Sequence, residues 1–258
     1  MPIALITGAS KGIGKAIAEE LAGRKIDLLL IARTEELLKT IAEDLHTKYA
    51  IQADHLAVDL SKDDAVEQIM HWCENKKKDI SILVNNAGYG LSGSFEKYSI
   101  TEQRDMMLVN MQVPVQLTHA LLPSLRKQSQ AYILNIASTA AYQAVPGLSL
   151  YAASKAFILN FSRGLNYELR DSTVSVTAIC PGATATDFPK RAMVSAKATK
   201  AAEKVNMSPE NVAKIAVKAM FDKKTEMIAG FFNKLTVFFV WLLPKKIVEK
   251  IAAGIYEL

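Results

Sequence analysis

Cysteine is nearly missing from this sequence: Cys73 and Cys180 are the only two in 258 residues. Their spacing suits neither a metal site nor a disulfide framework, which points to small core residues in a reducing, cytoplasmic setting, with no metal expected. Long apolar runs are also lacking. The uninterrupted run Val237–Leu243 has only seven residues, whereas a membrane-spanning helix needs about 20. The opening MPIALITGAS has neither the basic start nor the longer apolar stretch of a signal peptide, and reads as a first strand. Charge of one sign is absent too: the balance of +5 comes from 31 basic and 26 acidic residues, interspersed along the chain, which argues against nucleic acid as a partner. What remains is an ordinary globular composition, 50% hydrophobic and 22% charged, long enough for one well-cored domain over residues 1–258.

Within that domain, apolar segments of strand length alternate with longer helical stretches. IALIT is followed by a glycine turn and KAIAEELAG, DLLLIA by residues 34–48, HLAVD (55–59) by residues 63–74, and SILVNNAG by a helical region from about Thr101. AYILNIAS, a helix holding Tyr151 and Lys155, and VSVTAICPG complete the series. Such alternation predicts an α/β fold: a Rossmann-type, doubly wound parallel sheet of about seven strands with helices on both faces. Sheets of this kind bind ligands beyond the carboxyl ends of their strands.

TGASKGIG, Thr7 to Gly14, follows the first strand directly. Gly8, Gly12 and Gly14 allow a tight turn and close backbone approach, and a helix starting near Gly14 offers free N–H groups to a pyrophosphate. Ser10 and Lys11 lie inside this loop. Three glycines alone are equally compatible with a structural turn; the placement between a strand and a helix favours a phosphate cradle. The end of the second strand then selects the dinucleotide. An NAD site places a carboxylate there for the ribose hydroxyls, and an NADP site a cation. Here Ala32 and Arg33 occupy the place and no acid appears before Glu35. Arg33 with Lys11 suits a clamp on a 2′-phosphate, so NADP(H) is the expected cofactor.

Tyr151 and Lys155 are four apart, separated by Ala152, Ala153 and Ser154. On a helix that spacing puts both on one face, with Cβ atoms roughly 5 to 6 Å apart. A free phenol titrates at about 10, and a neighbouring ammonium would lower that value and suit Tyr151 to general acid or base work, although the spacing alone fits two exposed helix residues better. The small residues between them would leave room for cofactor and substrate. Ser138, ending LNIAS, can hydrogen-bond a carbonyl as charge develops on oxygen. Asn110 sits in the helical stretch MMLVNMQVPVQL, where an amide is a poor helix former and can perturb the backbone ladder.

TGASKGIG, NNAG at Asn85–Gly88, Asn110, Ser138, the Tyr151/Lys155 pair and PGATAT at Pro181–Thr186 occur in that order between residue 3 and about residue 190. Together they resemble the short-chain dehydrogenases/reductases. NNAGYGLSGSFEKYSI, LNIASTAAYQAVPGLSLYAASKAF and NKLTVFFVWLLPKK are similar to the ketoreductase branch related to hydroxysteroid dehydrogenases and 3-oxoacyl reductases. The resemblance implies hydride transfer between a nicotinamide and a carbonyl or alcohol substrate, with a proton moved by Tyr151 beside Ser138 and Lys155. It also implies a water relay from Asn110 to Lys155, Asp59 at the adenine, and Asn86, Ala87 and Gly88 along the adenosine ribose. Ile13 would lie near the nicotinamide ribose, Pro181 and Gly182 near the nicotinamide, and Thr184 and Thr186 at its carboxamide. A homodimer or homotetramer is expected.

Residues 188–207 fall where that family places a substrate lid. Their basic and apolar mixture suits either an anionic acyl substrate or a solvated surface helix. Ser208 and Pro209 read as an N-cap and first helical residue, with a core-facing stripe from Val212 to Met220. The apolar extension 229–258 leaves three readings open: a wall over the substrate pocket, a subunit interface, or an anchor lying on a membrane surface. A non-catalytic NADP(H)-binding regulatory or interaction protein is the alternative to an enzyme, since such a module needs only the glycine loop, Arg33 and Asp59.

Overall fold

Ile3–Thr7 and Asp27–Ala32 are buried along their whole length, as strands covered by helices on both faces must be. They are β1 and β2 of a computed structural model that describes residues 2–76, 79–203 and 205–256. Lys204 of the expected lid and residues 257 and 258 of the expected extension lie outside the described residues. In chain order, α1 (Gly12–Ala22) joins β1 to β2, α2 (Glu35–Tyr49) leads to β3 (Ala53–Ala57), and α3 (Ala65–Asn75) to β4 (Ile82–Asn85). Next come α4 (Ile100–Met107), a π-helical turn (Leu108–Gln112), α5 (Val113–Leu125) and β5 (Ala131–Ile136). Then follow α6 (Ser149–Glu168), β6 (Val174–Cys180), α7 (Phe188–Arg191), α8 (Ala196–Glu203), α9 (Pro209–Phe221) and β7 (Glu226–Ile228). Two further helices, α10 (Phe231–Leu242) and α11 (Lys245–Tyr256), close the described chain.

The strands form one seven-stranded sheet in the order β3-β2-β1-β4-β5-β6-β7, with every pair parallel. Alternate side chains divide the core. Ala4, Ile6, Leu28 and Leu30 meet α1, α2 and α9 on one face; Ile3, Leu5, Leu29 and Ile31 meet α3 and α5 on the other. The strand order reverses between β1 and β4, so a crevice opens there at the carboxyl ends, and the functional motifs all lie beside it. β3 runs two residues earlier than HLAVD implied, because Asp59 leaves the ladder: its Oδ1 accepts from the Ser61 N–H and hydroxyl at 3.1 and 2.9 Å. Ser208 caps α9 as expected, its hydroxyl accepting from Asn211 N–H at 3.2 Å, with Pro209 in the first turn. The expected lid is the excursion between Thr184 and Met207, whose backbones pair at its base through Ala185 N–H to Met207 O at 2.9 Å.

Candidate active site

The glycine loop holds its shape because side chains do not fit. Gly8 and Gly12 have φ of +66° and +54°, a region that penalises any Cβ. A Cβ on Gly8 would lie 2.7 Å from Asn86 Nδ2, and one on Gly14 would strike the Gly8 carbonyl. α1 begins at Gly12, two residues before the expected start, so its free N–H groups face the loop directly. Ile13 packs against the core beneath. Asn86 fastens the loop to β4: its Nδ2 donates to Thr7 O at 2.9 Å and Gly8 O at 3.1 Å, while Thr7 Oγ1 accepts from the Asn86 and Ala87 N–H groups. From the other side, Thr186 closes on Gly12, where an added Cβ would stand 3.0 Å from Thr186 Cγ2. Thr184 and Thr186 brace that segment by donating to the carbonyls of Gly182 and Thr184. This cradle fits a dinucleotide pyrophosphate.

The NNAG turn carries the cradle into a buried polar cluster. A Cβ on Gly88 would meet Asn110 Oδ1 at 3.1 Å and Lys155 Nζ at 3.2 Å, so only glycine lets the three pack this closely. Asn110 sits in the π-helical turn, where the Val113 N–H reaches back to Leu108 O. Pro114 has no N–H, so Asn110's carbonyl lacks the donor that an α-helix would give it four residues on. The Asn110 side chain holds the turn in place, accepting from Tyr89 N–H at 3.0 Å and donating to Tyr89 O and Ser154 Oγ at 2.9 and 3.0 Å. Ser154 is therefore a member of the cluster that sequence reasoning missed. Ala152 and Ser154 are buried and Ala153 is exposed; Ser154 serves this hydrogen bond.

Lys155 is 5% exposed and donates to Ile136 O at 2.8 Å. Ser138 caps the short turn after β5, its hydroxyl accepting from Ala140 N–H at 3.1 Å, and it also hydrogen-bonds the Tyr151 phenol. Burial pushes Tyr151 up to about 12, with the Ser138 bond opposing and Tyr256 adding to the rise. The expected lowering by Lys155 is thus corrected: the ammonium stands 5.8 Å from the Tyr151 ring centroid and is committed to the Ile136 carbonyl. Burial brings Lys155 itself down to about 8, opposed by the Cys180 thiol. At neutral pH the phenol is protonated and the lysine still largely charged, an arrangement suited to giving a proton away.

The two cations expected to clamp a 2′-phosphate have different surroundings. Lys11 reaches Asp187, with Nζ to Oδ2 at 3.0 Å, between two exposed side chains. Arg33 is exposed one residue past β2, where the Ala9 N–H bonds Ile31 O at 3.1 Å and holds the glycine loop alongside. Its charge helps the Ser61 bonds keep Asp59 below the usual carboxylate value against the effect of burial. Arg191 of α7, which the sequence did not single out, lies over the Tyr89 ring at 4.3 Å. Burial, and then Arg33, depress its pKa.

Three further residues reach the site from distant sequence. Phe188 packs on Tyr151 with ring centroids 5.1 Å apart. Tyr256 packs with Tyr151 against Val145, Leu148 and Ala152, and Lys197 Nζ donates to Gly254 O at 3.0 Å, tying α8 to α11. Asn233 of α10 fills the space over Gly182, where any side chain would collide with it. Aromatic content in the lid and tail was the available signal for Phe188 and Tyr256; no local pattern marked Asn233.

Residues 2–197 match the family model described as short chain dehydrogenase. Over 194 residues the chain is 35% identical to the very-long-chain 3-oxoacyl-CoA reductase of Anas platyrhynchos, covering 72% of this chain and 61% of that protein. Over 187 residues it is 34% identical to the inactive hydroxysteroid dehydrogenase-like protein 1 of Homo sapiens, covering 72% and 56%. The matched region thus spans about three-fifths of the length of these relatives. Among solved structures, the short-chain dehydrogenase from Sphingobium yanoikuyae in complex with NADPH superposes with a TM-score of 0.80 at 31% identity, covering 89% of this chain and 87% of that one.

Proposed function

The chain belongs to the short-chain dehydrogenase family, and from that premise we propose that it is an NADP(H)-dependent reductase of hydrophobic or acyl-type ketones or aldehydes. The observation that carries this reading is the cluster in which buried Asn110 and Lys155 stand beside half-buried Ser138 and Tyr151. A module that only binds a dinucleotide has no use for a lysine held 5% exposed beside a phenol. The cofactor preference rests on Arg33 and on the fate of the first acid after it: Glu35 turns to the sheet edge, where its Oε1 bonds His55 Nε2 at 2.9 Å. That leaves no carboxylate from this segment for a ribose diol. Arg33 would hold the 2′-phosphate, with Arg191, whose pKa Arg33 depresses, as a second cation nearby.

Bound in the cradle, NADPH supplies the hydride. The protein's own part is proton supply and alignment. Tyr151 donates its phenolic proton to the carbonyl oxygen while Ser138 hydrogen-bonds the same oxygen. Lys155 supplies positive charge beneath the phenol, and the Asn110 carbonyl holds a water through which Lys155 is resupplied. Phe188 and Tyr256 cover Tyr151 with apolar surface, which favours a hydrophobic substrate. Two unpaired, buried thiols support a cytoplasmic location, and the exposed Ile100, Phe157 and Tyr167 of α4 and α6 support assembly as a homodimer or homotetramer.

The test is NADPH oxidation against ketones and aldehydes graded in length and charge, including 3-oxoacyl thioesters and steroid ketones, with NADPH binding measured in parallel. Turnover confined to apolar or acyl carbonyls is the expected result. Tight NADPH binding with no turnover across the panel would overturn the reductase reading in favour of a non-catalytic binding protein.

A further inference from the structure

Beyond the catalytic reading, the exposed apolar residues concentrate on one helix. Phe231, Phe232 and Trp241 of α10 are 74, 75 and 74% exposed, and Phe238, Phe239 and Leu242 about half. At 100° per residue, Phe231, Phe232, Leu235, Phe238, Phe239 and Leu242 share an arc of about 120°. Val240 is the buried side chain of this helix, and with Asn233 it seats α10 on the body. The five aromatics alone expose on the order of 500 Å², from 150 to 250 Å² per ring, which is the size of the largest apolar patch on a typical monomer, a patch that is often functional. α11 extends the pattern with exposed Ile247, Ile251 and Ile255 at intervals of four.

Charge identifies the occupant. Between Ala229 and Val248 there is no Asp or Glu, while Lys234, Lys245 and Lys246 are present, all exposed. Among the described residues none of the three has a carboxylate partner. A two-fold contact of α10 with its own copy would set lysines against lysines with no acid from this segment to answer them. An anionic lipid surface supplies what the face lacks: headgroup phosphates for the lysines and acyl chains for the aromatics, with Trp241 at the boundary. Among the described residues no helix is long and apolar enough to cross a membrane, and twelve residues of α10 reach only about 18 Å. We propose that α10 lies flat on an anionic membrane surface, its Phe/Trp face inserted among the lipids and Lys234, Lys245 and Lys246 at the headgroups.

The experiment uses the full chain with Trp72→Phe, which leaves Trp241 as the sole tryptophan reporter. It is mixed with vesicles of phosphatidylcholine alone or with one-third phosphatidylglycerol. Co-sedimentation with the anionic vesicles, a blue shift of Trp241 and quenching by brominated acyl chains are expected. Phe238→Asp with Phe239→Asp should abolish all three while leaving turnover of a water-soluble ketone unchanged. Neutralising each lysine to Gln should raise the lipid concentration for half-binding about fivefold. The proposal is overturned if the wild-type chain stays in the supernatant at low salt, or if the double Asp variant binds like wild type. A dimer that this variant splits to monomers, without vesicle binding, would instead assign the face to a second copy.

Discussion

The crevice and the C-terminal helices invert the usual partition of a globular protein in opposite senses. Around the crevice, polar and charged groups are buried: Asn110, Ser154 and Lys155 are each 5% exposed or less, and each has hydrogen-bond partners. On α10, large apolar groups face outward, their rings packed on one another and still largely exposed. Burying a polar group costs free energy unless it is bonded, and exposing aromatic surface forgoes the gain of burial. Neither arrangement stabilises the fold best, so each marks a place where chemistry or contact takes precedence over stability. The difference lies in completeness. The buried cluster satisfies itself within the chain, whereas the outward face needs something beyond it.

The sharpest way to break this comparison is at the phenol. Tyr151→Phe keeps the ring packed on Phe188 and removes the proton, so kcat for carbonyl reduction should fall on the order of a thousandfold, with the NADPH dissociation constant nearly unchanged. A fall of tenfold or less in single-turnover rates would show that the cluster is packing rather than chemistry. The direction of reaction follows from the same group. Because burial holds Tyr151 near about 12, the protonated form needed for reduction persists through neutral pH, while the phenolate needed for alcohol oxidation grows about tenfold per unit below that value. Oxidation rates should therefore climb roughly a hundredfold from pH 6 to 8. Reduction should stay level and then decline as Lys155 loses its proton near about 8. Parallel pH profiles in the two directions would contradict this.

How much of this was legible beforehand depends on sequence distance. The glycine loop, NNAG and the Tyr151/Lys155 pair were readable because each is a local pattern following a strand, and the alternating apolar segments announced the sheet. Asn110 was readable as a helix irregularity, and the π-turn bears that out. β7 was not located: Glu226–Ile228 has three residues and no apolar run, and it is a strand only because Ala178–Cys180 offers it an edge. The ion pair of Lys11 with Asp187, 176 residues away, could not be seen in the sequence. Tyr256 beside Tyr151 and Asn233 over Gly182 were hidden for the same reason. Each depends on how two remote segments dock, which no local spacing encodes.

At the other end of the cofactor crevice the comparison is tested on an exposed cation. Arg33→Ala should weaken NADPH binding roughly 10- to 100-fold, as expected for charged hydrogen bonds, and leave NADH binding nearly unchanged in calorimetric titrations. An unchanged NADPH to NADH ratio would remove Arg33 from the 2′-phosphate and pass that role to Arg191.

The smallest effect is expected on the exposed helix, where two adjacent residues carry the contrast. Val240 is 8% exposed and Trp241 74%. Val240→Ala opens a gap between α10 and the body and should cost about 1 kcal/mol in urea unfolding. Trp241→Ser removes far more apolar surface, but most of that surface is already in water, so stability should move by no more than about 0.5 kcal/mol. If Trp241→Ser destabilised the isolated chain as much as Val240→Ala, its ring would be contributing to the fold, and the outward face would be core surface rather than a surface kept for a partner.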